Sequence, residues 1–250
     1  MSTVDKIAVV IPCLNEAATI ASLICEIKTI LPNVIVVDDG STDFTGKFAA
    51  DAGADVLRNT QPLGKGIALN LGLKHAREKG FHSALAMDGD GQHAPSDIPR
   101  FLDALDKAPL VIGNRMTNCE QMPWVRKSVN RWMSKRLSHV AGKNLPDTQC
   151  GFRLINLEAW SRLNLQTAHF EIESELLLAF AAAGHAIEFV PIQVIYKNER
   201  SKIHPVRDTL RWLQWFRNAR RQFETLKLKT ELSSQPTSAA LQNETKPSLR

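Results

Sequence analysis

The chain has 250 residues, 44% hydrophobic and 23% charged, with a formal net charge of +5. That length and apolar content suffice for one large α/β domain with small appendages, and confine disorder to local stretches. No run of about 18 uncharged apolar residues occurs, and the N-terminus lacks the basic and long apolar regions of a signal peptide, so the chain is expected in the cytosol without a membrane span of its own.

Lys6 to Pro12 reads as an apolar strand that proline ends, and Glu16 to Ile30 as a helix with Ile20, Leu23, Ile24 and Ile27 on one face. Val34 to Val37 is a second buried strand. It runs into Asp38-Asp39-Gly40-Ser41-Thr42-Asp43, where Ser41 or Thr42 can cap the next helix. Ala54 to Arg58 is a weaker strand. After it, Gly64-Lys65-Gly66 opens a helix over Ile67 to Lys79 and can bind an anion there through backbone N–H groups and the lysine. No P-loop pattern is present.

Ser83 to Met87 is a strand apolar on both faces, and it meets Asp88-Gly89-Asp90-Gly91-Gln92-His93 at its C-terminal end, where open α/β sheets bind ligands. Two carboxylates one residue apart can share a divalent cation, Gln92 adds a neutral oxygen, and the glycines leave room for a ligand near the backbone. Asp88, Asp90 and Gln92 therefore form a candidate metal and diphosphate site. Pro95 to Lys107 follows as a helix and Leu110 to Gly113 as a strand. This alternation implies a mostly parallel sheet with helices on both faces.

The second half is organised differently. Trp124 to Val140 is amphipathic, with Val125, Val129, Trp132, Met133, Leu137 and Val140 on a stripe and no acidic residue. Asp147 to Ile155 reads as a turn and strand, Glu171 to Ala183 as a helix, and Ile187 to Tyr196 as one or two strands interrupted by Pro191. Pro205 to Lys229 is a second basic amphipathic helix. Between Tyr196 and Lys229 ten Lys and Arg face three acidic residues, a net of about +7. From Glu231 to Arg250 the composition is that of a disordered tail. Cys13, Cys25, Cys119 and Cys150 fit neither a zinc nor a disulfide pattern and read as free thiols.

In this order, Val10-Ile-Pro-Cys-Leu-Asn15-Glu16, Val36-Val-Asp38-Asp39-Gly-Ser-Thr-Asp43, Gly64-Lys-Gly66, Asp88-Gly-Asp90-Gly-Gln92-His93, Gly113-Asn-Arg115 and Gly151-Phe-Arg153 resemble the family 2 glycosyltransferases. Within these, they are most similar to polyprenyl-phosphate sugar synthases such as dolichyl-phosphate mannose synthase. The resemblance implies a GT-A fold over residues 1–203, followed by the basic helix at 204–230 and the tail at 231–250. It implies that Pro12, Asn15, Glu16 and Asp38 or Asp39 hold the base and ribose of a GDP- or UDP-sugar, with Lys65 nearby. It also implies that Asp88, Asp90 and Gln92 surround Mg²⁺ or Mn²⁺ on the diphosphate. The acceptor would be a polyprenyl phosphate gripped by Arg115, Arg126, Arg131, Arg200 and Lys202, with Asp90 and Arg115 the groups closest to the chemistry.

Two features depart from the family pattern. The membrane helices that follow many such catalytic domains do not occur, and Gln214-Trp-Phe-Arg217 is followed by Asn218, which breaks the Gln-x-x-Arg-Trp pattern of polymer synthases. The protein is thus expected to work as a peripheral enzyme on the cytoplasmic face of a membrane. Its two basic helices would lie in the interface, and a separate membrane protein is a possible partner. A saccharide hydroxyl acceptor is the alternative. Nucleotidyl transfer lacks a Gly-rich triphosphate loop after Ile11-Pro12, and nucleic acid is not expected as a partner although the basic, Trp-bearing C-terminal segment could attract it.

Overall fold

The computed structural model of the chain describes residues 4–120, 122–195 and 205–234. Seven strands, β1 (Ile7–Cys13), β2 (Val34–Asp38), β3 (Asp55–Arg58), β4 (Ser83–Ala86), β5 (Leu110–Asn114), β6 (Arg153–Asn156) and β7 (Ile187–Pro191), lie in the order β3-β2-β1-β4-β6-β5-β7. The β1–β2, β1–β4, β2–β3 and β5–β7 pairs are parallel, while β6 runs antiparallel to both β4 and β5. Five consecutive residues of β1, Ile7 to Ile11, are at most 1% exposed. Successive strand residues point to opposite faces, so both faces of the sheet are covered.

The covering helices are α1 (Ile20–Lys28), α2 (Thr45–Asp51), α3 (Lys65–Glu78), α4 (Ile98–Leu102), α5 (Trp124–Ala141), α6 (Leu157–Ser161), α7 (Ile172–Ala182) and α8 (Pro205–Ser234). The expected start of α1 at Glu16 is moved to Ile20. The Asn15, Glu16 and Ala17 N–H groups donate instead to Ser41 Oγ, Thr45 Oγ1 and Asp43 Oδ2, and Asn15 sits at φ 54°, a left-handed backbone that asparagine tolerates. Neither Ser41 nor Thr42 caps α2, because both bond back to Asn15; Asp43 Oδ1 takes the Thr45 N–H. The helix expected over Pro95 to Lys107 reduces to a 3₁₀ turn and the short α4.

The two basic helices also differ from their expected faces. On α5, Val125 and Trp132 are exposed, while Asn130, Met133, Ser134 and Leu137 face inward. The burial of Ser134 has a clear cause: its hydroxyl accepts the Thr148 N–H at 3.1 Å and lies 3.1 Å from Thr148 Oγ1. On α8, Trp212 is 3% exposed, stacked on Phe216 at 4.9 Å and edge-on to Trp132 at 5.5 Å, and its Nε1 donates to Ser174 Oγ at 2.9 Å. These rings fasten α8 to α5 and α7 and are not a free membrane face. The helix runs through Ser234, so the tail expected from Glu231 is helical at its start; residues 235–250 lie outside the described residues.

The close approach of α3 to the sheet yields a test. A Cβ on Gly72 would overlap the Val10 Cγ1 methyl and come within 3.0 Å of Val37 Cγ2. Gly→Ala inside a helix ordinarily gains about 1 kcal/mol, whereas overpacking costs about 1–3 kcal/mol. Gly72→Ala should therefore lower stability by up to about 2 kcal/mol in urea titration; a gain would mean that α3 can back away from the sheet.

Candidate active site

The strand β4 delivers Asp88 to the sheet's C-terminal edge, and Gly91 at φ 67° turns the chain so that Asp90 and Gln92 follow. The turn is fixed from within. Asp90 Oδ1 accepts the Gln92 N–H at 3.0 Å, and His93, buried and stacked 5.2 Å from Phe152, stands 3.5 Å from the Asp88 N–H. The expected role of Gly89 is corrected. The space beside it is filled by Cys13 Sγ at 2.6 Å and Glu16 Cγ at 3.3 Å from an added Cβ, so it serves packing rather than ligand approach.

Lys65, the first residue of α3, reaches Asp88 Oδ1 at 2.5 Å and Glu173 Oε1 at 2.6 Å. Burial disfavours its charged form, but the two carboxylates outweigh that and hold its pKa above the ordinary lysine value. For Asp88, burial would raise the pKa, yet the Lys65 charge dominates and the carboxyl stays well below the usual range. Asp90 moves the other way, raised by burial and then by the negative charge of Asp88. Gly151 makes room for the pair, since a Cβ there would lie 2.7 and 2.8 Å from the two Asp88 oxygens and 3.0 Å from Lys65 Nζ. The anion expected at the α3 N-terminus is the chain's own: Asp39 accepts the Leu63 and Gly64 N–H groups at 2.9 and 2.8 Å and Asn59 Nδ2 at 2.8 Å.

Pro12 lies at the end of β1 beside Lys65 and Asp88, lining a recess of about 10 Å³. Asn15 and Glu16 brace the β2–α2 loop through their backbone N–H groups. Asp38 is fully buried, its Oδ1 accepting the Ser41 N–H at 2.9 Å, so of the two expected nucleotide carboxylates neither is an open one.

Among the basic candidates, Arg115 is 5% exposed and its Nε, Nη2 and backbone N–H all donate to Asp147 at 2.7, 2.8 and 3.0 Å. The fork expected to grip an acceptor phosphate grips Asp147. Arg153 is likewise buried and donates to the carbonyls of Cys150, Glu173 and Thr148. Arg126 does reach the site, with Nη1 3.4 Å from Gln92 Oε1. Arg131, five residues along α5, is exposed on another side of the helix and is not brought to the loop. Arg200 and Lys202 lie outside the described residues; the described chain before them ends at Ile195, whose N–H donates to the Gln92 carbonyl at 3.0 Å.

Sequence reasoning missed Glu173 and Asp147. Glu173 left a signal, because it falls on the apolar stripe of α7 with Leu177 and Phe180 at i+4 and i+7, all buried. A carboxylate there needs a buried cation.

A divalent cation fits the donor set. Among the described residues no three His, Cys, Asp or Glu side chains gather around one point. The loop thus offers two carboxylates and an amide oxygen, leaving the remaining positions to phosphate and water, as Mg²⁺ sites commonly do. Asp90, whose charge is disfavoured by burial and then by the Asp88 carboxylate, is the group such a cation would relieve.

The Rossmann-like sheet sets these carboxylates at the mouth of β4, where such sheets bind ligands. The model of glycosyl transferase family 2 matches residues 8–163, and the chain belongs to that family. The undecaprenyl-phosphate mannosyltransferase of Micrococcus luteus is 29% identical over 204 residues, 76% of this chain and 84% of that protein. The UDP-N-acetylglucosamine–dolichyl-phosphate N-acetylglucosaminyltransferase of Methanococcus voltae is 30% identical over 218 residues, 77% of this chain and 87% of that one. The crystal structure of glucosyl-3-phosphoglycerate synthase from Mycobacterium tuberculosis in complex with Mg²⁺ and UDP superposes with a TM-score of 0.64 at 26% identity, covering 94% of this chain and 81% of that one.

The Arg115–Asp147 pair predicts an acid-sensitive fold. Burial would raise the Asp147 pKa, but the Arg115 charge and hydrogen bonds hold it below the ordinary carboxylate value. Its contribution is therefore complete above the unfolded pKa of about 3.9 and lost as pH falls through the lower folded value. Asp147→Asn should destabilise by on the order of 3–5 kcal/mol at neutral pH, since it strands a buried guanidinium. It should also lose less stability than the wild type on acidification below about pH 4. Parallel stability–pH curves for the two proteins would contradict the assignment.

Proposed function

We propose that this glycosyltransferase moves a sugar, with inversion, from a nucleotide-sugar to the phosphate of a polyprenyl phosphate at the cytoplasmic surface of a membrane. The observation that carries the reading is the meeting of opposite charges at one loop: Asp88 and Asp90 on its inner side, and Arg126 of the basic helix α5 against Gln92. The printed names of the two polyprenyl-phosphate-using relatives support the acceptor class.

Mg²⁺ or Mn²⁺ bound to this loop supplies a Lewis acid for the charge that develops on the leaving diphosphate. Asp88, Asp90 and Gln92 would hold that cation, and Lys65 keeps Asp88 ionised. Pro12, Asn15 and Glu16, with Asp39 behind them, shape the nucleotide pocket. A phosphate monoester has a second pKa near 6 and is largely a dianion at neutral pH, so it needs no general base. What it needs is compensation for approaching another anion. Arg126, with Arg200 and Lys202, supplies that, while Arg115, clasped by Asp147, makes no phosphate contact.

Incubation with labelled nucleotide-sugars, Mg²⁺ and polyprenyl phosphate should move label into a mild-acid-labile lipid. Asp90→Ala should reduce that transfer by on the order of 100-fold or more with the fold intact. Full activity in EDTA would rule out metal dependence, and label in a saccharide instead of a lipid would replace the acceptor.

Among the described residues no helix is long and apolar enough to cross a membrane. Membrane attachment would therefore use Trp124 and Val125, 76% and 48% exposed at the start of α5, with the exposed Arg217, Arg220 and Arg221 of α8. Each basic residue near an anionic surface contributes about 1 kcal/mol, screened by salt. The protein should float with anionic vesicles at low salt and less at high salt, and Trp124→Ser/Val125→Ser should weaken flotation. Wild-type protein that stays at the bottom at low salt would remove the surface-docking step.

A further inference from the structure

Glu173 is 5% exposed, and only one of its two oxygens is used by the ion pair described above. Oε1 meets Lys65 at 2.6 Å, while Oε2 is buried without a hydrogen-bond partner. An unpaired buried carboxylate oxygen is costly, on the order of 1–3 kcal/mol or more. The side chain borders a recess with Pro12, Lys65, Asp88, Gly151 and the buried Arg153, whose guanidinium is committed to the Cys150, Glu173 and Thr148 carbonyls. Its volume of about 10 Å³ admits one hydroxyl-sized group. Asp88, at the start of the loop that would hold the diphosphate, is itself part of the lining.

We infer that Glu173 is a specificity-determining residue for the transferred sugar: its Oε2 accepts a hydrogen bond from one hydroxyl of the donor's hexose, inserted into this recess. The assignment rests on the donor reading given above. The chemistry of the recess matches a hydroxyl better than any other group of the donor. An ionised phosphate oxygen has no proton to give Oε2, and the base is far too large, whereas a hydroxyl donates to Oε2 and has its own oxygen available to the Lys65 ammonium. A donor lacking that hydroxyl leaves Oε2 unpaired, and discrimination of this kind by a buried polar group is strong.

The test is calorimetric binding in Mg²⁺ of GDP and UDP, of GDP-mannose, UDP-glucose and UDP-N-acetylglucosamine, and of singly deoxygenated analogues of whichever sugar binds best. Glu173→Ala should weaken the preferred nucleotide-sugar at least tenfold and leave its nucleoside diphosphate within about twofold. Glu173→Gln, which keeps an acceptor oxygen of the same shape and guards against a misfolded alanine variant, should fall between wild type and alanine. One deoxy donor should bind about tenfold more weakly than its parent to wild type and equally to Glu173→Ala. A residue that merely supports Lys65 against Asp88 would weaken nucleoside diphosphate and nucleotide-sugar by the same factor. That result, or a deoxy series in which no analogue loses its penalty in the alanine variant, would overturn the inference. Wild-type protein that binds no nucleotide-sugar would overturn the donor reading itself, and this assignment with it.

Discussion

The ammonium of Lys65 is the point through which the two halves of the site are joined. It stands at the first residue of α3, between Asp88 from the end of β4 and Glu173 from the first turn of α7, elements far apart in the sequence. Ion pairs of this kind rarely stabilise a fold relative to apolar packing, because desolvation offsets the Coulomb gain. Their effect is to fix geometry. The surrounding glycines follow from that constraint: side chains at Gly64 and Gly66 would overlap the Ala168 and Thr167 carbonyls of the loop that covers Lys65, and one at Gly151 would strike the Asp88 carboxylate. Gly64 and Gly66, read from the sequence as an anion-binding helix entry, are with Gly151 clearances around one buried cation.

The first half of the fold was legible because its local and global signals agree. Apolar runs such as Ile7 to Ile11 are buried on both faces, and the motifs stand at the strand ends where ligands bind such sheets. The antiparallel β6 was not legible, since strand direction is set by which neighbours pair and leaves no trace in periodicity. The inner face of α5 was misjudged for a related reason. Apolarity selected Val125 and Trp132, but hydrogen bonds from Thr148 made Ser134 an interior residue.

Charged residues show the same limit more sharply. From sequence each of Asp38, Asp39, Arg115 and Lys65 is an available group. In the fold, Asp38 closes a turn, Asp39 caps the α3 entrance, Arg115 is clasped by Asp147, and Lys65 is shared between two carboxylates. Buried polar atoms must find partners, and in a domain this size most of those partners are other parts of the chain. What distinguishes Asp90 is that burial and the Asp88 carboxylate disfavour its charge, and what distinguishes Arg126 is its contact with Gln92.

Gln92 connects those two. Its N–H is bound by Asp90, its side-chain oxygen faces Arg126, and its carbonyl accepts the Ile195 N–H at the end of the segment that continues toward Arg200 and Lys202. The neighbouring His93 pairs with Val194 in the same contact. A transfer between two anions requires that the positive groups receiving the acceptor be set relative to the carboxylates holding the donor, since misplacement by about 1 Å at a reacting centre can cost 100-fold in rate. In this chain Gln92, with three bonds, ties the loop that carries Asp88 and Asp90 to Arg126 of α5 and to Ile195.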